Sequence, residues 1–300
     1  MTDRHHRVFS NMEFGWRELL LTCLKRGRAA TPRGYDTLEL PPTVFTLTDP
    51  GAALIVSPER KLNYAFCAAE FCWVMAAEDE VDTLAFFNSK MRDFADVPPY
   101  PDRESMRLFG AYGPPIVAQL PYVLENLREP DSRQAVITIW RQSPPKTRDV
   151  PCTVMLQFLL REGRLNMLTV MRSNDLWLGT PYDVPLFCRI QHYVASQIGA
   201  EVGEYTHVAG SLHLYERDLA AVWRVLDNEV GYAEEYSGPR LTMFDPTVDP
   251  RQFWAGVEAA AHRGDYAALN AATQLGWSEL ARVVHPYIIN KRAKEASGGA

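Results

Sequence analysis

Cys152 follows Val150-Pro151 and is the first residue of an apolar run, Cys152 to Leu160, that reads as a β-strand. A thiol at a strand end can reach a cleft, and nearby arginines would lower its pKa and favour the nucleophilic thiolate. The plain alternative is core filling, the usual duty of a strand cysteine. Arg172-Ser173 follows the end of a later strand. A planar guanidinium with a hydroxyl beside it suits a phosphate, although a surface arginine looks the same. Arg133, after Asp131-Ser132, reads equally as a phosphate ligand or a turn arginine in a salt bridge. Asp183-Val184-Pro185 has the form of a helix N-cap followed by an early proline, a duty that does not exclude chemistry. His213 and Tyr215 alternate at a strand-to-helix junction, as a half-buried aromatic pair or as two groups that recognise hydroxyls. Glu70 sits inside the apolar run Tyr64 to Ala77, where a carboxylate faces solvent, has a partner, or has a task.

The elements that must carry these residues follow from periodicity. Helices are expected over Asn11–Arg26, Tyr64–Ala77, Asp82–Phe94, Leu120–Leu127, Val184–Ile198 and Leu214–Leu226, and from near Pro250, Asp265 and Ser278. Strands are expected over Thr43–Thr48, Ala135–Trp140, Cys152–Leu160, Arg164–Met171, Glu204–Gly210 and Leu241–Phe244, with a hairpin at Arg161-Glu162-Gly163. Arg28–Pro42 and Val97–Glu104 read as Pro- or Gly-rich loops. Phe109 to Pro114 reads as a tight turn. Hairpins mixed with helices, without regular alternation, indicate an α+β fold rather than a doubly wound one.

Composition bounds the rest. The chain has 300 residues, 47% hydrophobic and 23% charged, as in an ordinary globular protein. The formal charge of −6 and the lack of a long basic run argue against a nucleic-acid platform. Five cysteines, an odd number without zinc-ligand spacing, indicate free thiols in a reducing cytoplasm and no metal. The polar start Met1 to Arg7 has no signal-peptide core, and no apolar stretch is long enough to span a bilayer. There is no internal repeat, so one catalytic domain over residues 1–300 is expected, with a changed pattern after Asp227.

Taken together, the segments resemble the thymidylate synthase family, and within it the pyrimidine nucleotide hydroxymethylases. Pro151-Cys152-Thr153-Val154-Met155-Leu156-Gln157-Phe158 is similar to the family's nucleophile strand. Arg172 to Asp183, through Ser173-Asn174-Asp175 and Gly179-Thr180-Pro181-Tyr182, is similar to its phosphate-and-base segment. Gly210-Ser211-Leu212-His213-Leu214-Tyr215 is similar to its sugar segment. Ala69-Glu70-Phe71-Cys72-Trp73 and Ala111-Tyr112-Gly113 fit its acidic helix and tyrosine turn.

The resemblance implies a large mixed sheet with helices on one side, in a homodimer packed through the sheets. It implies that Cys152 attacks carbon 6 of a pyrimidine nucleoside monophosphate, whose carbon 5 then takes a one-carbon unit from 5,10-methylenetetrahydrofolate. Arg172, Ser173, Arg33 and the partner subunit's Arg133 would hold the phosphate. Gln157 would also meet the nucleotide, and His213 and Tyr215 the 3′-hydroxyl. Asp175, Gly179, Met91 and Glu70 would border the folate, and Glu70 and Tyr112 would serve water-mediated proton transfer.

The departures from the family pattern are informative. Asp183 replaces the asparagine that pairs with uracil. A carboxyl group sharing a proton with ring nitrogen 3 meets the reversed donor–acceptor edge of cytosine, and a mismatched buried polar edge costs about 1–3 kcal/mol. Thr153 replaces a histidine, Met91 a tryptophan that lines the folate pocket, and Ser297 to Ala300 the apolar tail that seals it. A wetter pocket lets water, rather than folate hydride, capture the exocyclic methylene. The implied activity is 5-hydroxymethylation of CMP or dCMP, as in nucleoside antibiotic pathways or DNA modification. The alternatives are a thymidylate synthase that methylates dUMP, and a non-catalytic nucleotide-binding relative.

Overall fold

The computed structural model describes residues 6–95, 106–141, 147–228, 236–273 and 277–297; the expected loop Val97–Glu104 lies outside them. The chain divides into two compact units. The first comprises residues 1–62, 122–138 and 152–242, and the second 63–121, 139–151 and 243–300.

The described residues of the first unit form ten strands: β1 (His6–Phe9), β2 (Arg28–Ala30), β3 (Thr37–Leu40), β4 (Thr43–Leu47), β5 (Val136–Thr138), β6 (Thr153–Arg161), β7 (Arg164–Met171), β8 (Asn174–Asp175), β9 (Glu201–Ala209) and β10 (Leu212–Tyr215). Six form a mixed sheet in the order β1-β4-β9-β7-β6-β5, and four a smaller one, β2-β3-β10-β8. This is the α+β architecture that the residue pattern indicates, with the large mixed sheet that the family resemblance implies.

Alternation sets the faces of the large sheet. Leu156, Thr169, His207 and Phe45 lie side by side across β6, β7, β9 and β4, and all are buried. The neighbouring row, Met155, Val170, Val208 and Val44, faces the other way and is half-buried. Two bulges interrupt the pairing, at Val154 in β6 and in β9, where Gly203 and Glu204 stand opposite Asn166 of β7. At the second bulge the Asn166 side chain accepts the Glu204 N–H at 2.8 Å. A Cβ at residue 203 would fall 2.3 Å from that same Asn166 oxygen, which explains Gly203.

The described residues form nine α-helices: α1 (Met12–Arg26), α2 (Tyr64–Met75), α3 (Asp82–Phe87), α4 (Gly113–Asn126), α5 (Thr180–Ile198), α6 (Leu219–Leu226), α7 (Pro250–Glu258), α8 (Tyr266–Thr273) and α9 (Ser278–Ala296). In the first unit, α1 starts at the Asn11 cap, whose side-chain Oδ1 accepts the Phe14 N–H at 2.9 Å. Helix α5 ends on Gly199 in the left-handed conformation, φ 66°. No described helix is long and apolar enough to cross a membrane.

In the second unit α2 is a core helix. From Ala65 to Met75 every residue is buried except Glu70, which is half-buried. Phe71 stacks on Phe244 at 4.9 Å between ring centroids, and Trp277 packs against both.

Several expected elements differ from what forms. Arg28–Pro42 is not all loop but contains β2 and β3, because β3 finds its partner, β10, far along the chain. The segment 214–226 is not one helix; β10 ends at Tyr215, a 3₁₀ turn covers Glu216–Asp218, and only then does α6 start. The helix expected over Asp82–Phe94 breaks at Asn88, which is extended, and resumes as a 3₁₀ turn over Ser89–Asp93. Helix α4 starts seven residues before Leu120, its Gly113-Pro114-Pro115 entry fitting a first turn, where proline lacks nothing. Leu241–Phe244 makes no strand. Leu241 is held by a hydrogen bond to Gly51, and both Leu241 and Phe244 are anchored by burial instead.

Candidate active site in the first unit

Cys152 immediately precedes β6 and is half-buried, whereas Cys23, Cys67, Cys72 and Cys188 are buried. Its carbonyl accepts the Arg172 N–H at 2.8 Å, which carries the β6–β7 pairing one step past Met171. The Arg172 guanidinium then lies 3.7 Å from the thiol sulfur. A fixed cation at that distance favours a thiolate. Arg172 is exposed and Ser173 half-buried beside it. Gly210 donates to the Met171 carbonyl at 2.8 Å, and a Cβ there would come within 3.0 Å of the Arg172 carbonyl, so that the sugar-segment loop lies directly on the arginine backbone.

The smaller sheet brings in the next residues. β8 and β10 run parallel, with Asp175 opposite His213. The Asp175 carboxyl accepts two backbone N–H groups on Oδ1, from Trp177 at 2.7 Å and Leu178 at 3.0 Å. Burial raises its pKa, and those two hydrogen bonds and His213 oppose the rise. The His213 ring is buried, with no hydrogen-bond partner for Nδ1 among the described residues, and meets the Tyr215 ring edge-on at 5.3 Å. The Arg217 guanidinium covers the other ring of that pair, 4.3 Å from the Tyr215 centroid.

Asp183 is not a helix cap. Helix α5 begins three residues earlier, at Thr180, so Asp183 lies within its first turn, and its N–H bonds the Gly179 carbonyl. Its side chain accepts from Asn174 Nδ2 at 2.7 Å, and Asn174 Oδ1 in turn accepts from the Thr180 hydroxyl at 2.7 Å. Burial pushes the Asp183 carboxyl up to about 6; the Asn174 hydrogen bond opposes this and the Asp175 charge adds to it. Gly179 is required here for space, since a Cβ would lie 2.9 Å from Asp183 Oδ2 and 3.2 Å from Asn174 Nδ2. Below the loop, Trp16 donates to the Leu176 carbonyl at 2.6 Å and stacks on Trp177.

Not every expected site residue gathers at the thiol. Gln157 lies five residues along β6 from Cys152, about 16 Å at strand rise, and donates to the Arg133 carbonyl at 3.1 Å. Arg133 is exposed, in a turn where Asp131 has φ 54° and Arg161 reaches toward Ser132 and Asp131. Arg33 is exposed in a 3₁₀ bend with φ 54°. Glu70, Met91 and Tyr112 belong to the second unit and are half-buried within it. Asn174 and Thr180 had no assigned duty in the sequence, although both lie in segments singled out there. Their side-chain pairing has no signature in residue spacing. Arg217 gave no signal at all.

Comparison with known proteins adds two findings. The family model described as thymidylate synthase matches residues 16–250. The chain is 32% identical over 251 residues to a deoxyuridylate hydroxymethyltransferase of Bacillus phage SP01, a match covering 78% of this chain and 65% of that protein's length.

Proposed function

The chain belongs to the thymidylate synthase family, and from that premise we propose that it is a one-carbon transferase that 5-hydroxymethylates a cytidine monophosphate, CMP or dCMP. The observation that carries the base assignment is the Asp183 carboxyl, drawn up to about 6 and held by Asn174. A carboxyl that is readily protonated near neutral pH can donate to the cytosine ring nitrogen while accepting from the exocyclic amine.

In this mechanism the Cys152 thiolate, next to the Arg172 cation, adds to carbon 6 and makes carbon 5 nucleophilic. Asp183 steadies the charge that builds in the ring. 5,10-Methylenetetrahydrofolate supplies the one-carbon unit. Loss of the carbon 5 proton as the bond to the folate nitrogen breaks would leave the exocyclic methylene; water adds to its CH2 carbon, and the electron pair returned to carbon 5 breaks the S–C6 bond and restores the thiolate. The folate therefore leaves as tetrahydrofolate, because no hydride is taken from it. The first unit fits a ring rich in N–H donors: the Trp177 and Leu178 N–H groups both bond Asp175 Oδ1 rather than Oδ2, and Leu178 is exposed beside it. Gly179 belongs to the same turn. The duties of Glu70, Met91 and Tyr112 rest on the family pattern.

Arg172 and Ser173 are proposed to hold the phosphate, with Arg33 beside them, and His213 and Tyr215 the sugar. The homodimer is proposed as well, with the partner's phosphate reached by Arg133. Two observations support this: Arg133 lies at the Gln157 end of β6, away from its own Cys152, and the half-buried row Met155, Val170, Val208 and Val44 runs across four strands.

A second reading, hydroxymethylation of dUMP, is favoured by the name of the phage relative. Incubation with methylenetetrahydrofolate and an equal mixture of CMP, dCMP and dUMP, followed by product mass, separates the readings. A hydroxymethyl group on CMP or dCMP is expected. Hydroxymethyl on dUMP alone would establish the second reading, and a methyl product with dihydrofolate would overturn both.

A further inference from the structure

We propose that Asn174, oriented by Thr180, is a positioning residue that decides which oxygen of Asp183 holds the proton, and through it which pyrimidine edge the site accepts. The inference rests on the reading of Asp183 as the base-contacting group.

The geometry is directional. The Thr180 hydroxyl has one proton and two carbonyl oxygens in reach, Asn174 Oδ1 at 2.7 Å and the Asp175 backbone at 3.1 Å. Donation to the nearer one turns the amide so that its NH₂ faces Asp183 Oδ2 at 2.7 Å. Turned over, the amide would set its oxygen against a carboxylate oxygen, tolerable only if that oxygen were protonated. Asn174 and Thr180 are both buried, so water does not compete freely for these bonds. Oδ2 is thereby kept an acceptor, and the proton of the acid form goes to Oδ1. The carboxyl then offers the base one donor and one acceptor in a fixed order, the order cytosine needs and uracil opposes. The ionisable groups bearing on Asp183 are Asp175 from β8, whose charge raises it, and Tyr205 from β9, a buried phenol. Neither sets the order of the two oxygens. Asn174 does, because it alone of these neighbours hydrogen-bonds one of them.

The test combines a carbon-13 NMR titration of the Asp183 carboxyl in substrate-free protein, assigned through Asp183→Asn, with kcat/KM profiles for dCMP and dUMP. Asn174→Ala removes a hydrogen bond to the charged form, so the Asp183 midpoint should rise by about one pH unit, and dCMP preference over dUMP should fall by about tenfold. Thr180→Val, nearly isosteric, should shift the midpoint the same way, and Thr180→Ser should restore it. An unmoved midpoint in Asn174→Ala, or in Thr180→Val should the alanine variant not fold, overturns the inference and leaves the cytidylate reading standing. A moved midpoint in an enzyme that uses dUMP alone keeps Asn174 as the positioning residue for the proton, and overturns both its role in choosing cytosine and the cytidylate reading.

Discussion

Arg172 is tied to Cys152 twice: its N–H donates to the Cys152 carbonyl at 2.8 Å, and its guanidinium reaches the Cys152 sulfur at 3.7 Å. The backbone bond fixes where the side chain starts, so the cation is held beside the thiol at small cost in side-chain entropy. Since the other four cysteines are buried, a neutral alkylating reagent reads Cys152. Arg172→Ala should slow alkylation at neutral pH by about tenfold. An unchanged rate would mean that the guanidinium does not activate the sulfur.

Removal of the thiol itself should separate chemistry from binding. Cys152→Ala is expected to lower kcat by at least about 10⁴-fold while nucleotide binding, followed by calorimetry, persists. Turnover that survived would remove Cys152 from the mechanism.

The Asp183 carboxyl gives a pH dependence with a defined sign. Its pKa is raised from 3.8 to about 6, so the acid form predominates below that pH and is lost above it. If the acid form donates to cytosine, kcat/KM for the cytidylate substrate is highest below about pH 6 and falls toward tenfold per unit above it. Asp183→Asn should lack that limb and turn preference from cytosine to uracil by about 10- to 100-fold. A variant that kept cytosine preference would leave Asp183 without a role in base choice.

Gly179→Ala tests the space around the same pair. The backbone there, φ −88° and ψ −64°, tolerates any residue. The added methyl, however, meets Asp183 Oδ2 at 2.9 Å. Far-ultraviolet circular dichroism should be unchanged while kcat/KM falls by about tenfold or more. Full activity would show that the carboxyl can shift without consequence.

The half-buried row on the open face of the large sheet predicts self-association. Met155→Glu or Val170→Asp places a charge among apolar neighbours from three adjacent strands and should convert a sedimenting dimer to monomer. If the dimer forms through this face, activity should fall with it, because the partner's arginine is then lost. A wild-type chain that sediments as an active monomer would overturn the dimer proposal.

Local pattern, read from the residues alone, was enough for the long elements. The helix from near Asn11 to Arg26, the buried run of α2, the hairpin of β6 and β7 and the α5 stop at Gly199 all follow from side-chain periodicity and turn chemistry within a few residues. The chemistry-bearing types, Cys152, Arg172, Asp183, His213 and Tyr215, were also legible, since each stands in a segment similar to a family pattern. Pairing at long range was not. β2, β3, β8 and β10 are two to four residues long and exist because they bond one another across as many as 178 positions, from Thr37 to Tyr215, which no window can see. The same holds at the site. Aspartate before valine and proline looks like a cap until the helix is found to begin at Thr180. Only the folded chain sets Asn174 against Asp183 and Thr180 against Asn174, because hydrogen-bond direction is a property of three-dimensional geometry, whereas residue type is a property of the sequence.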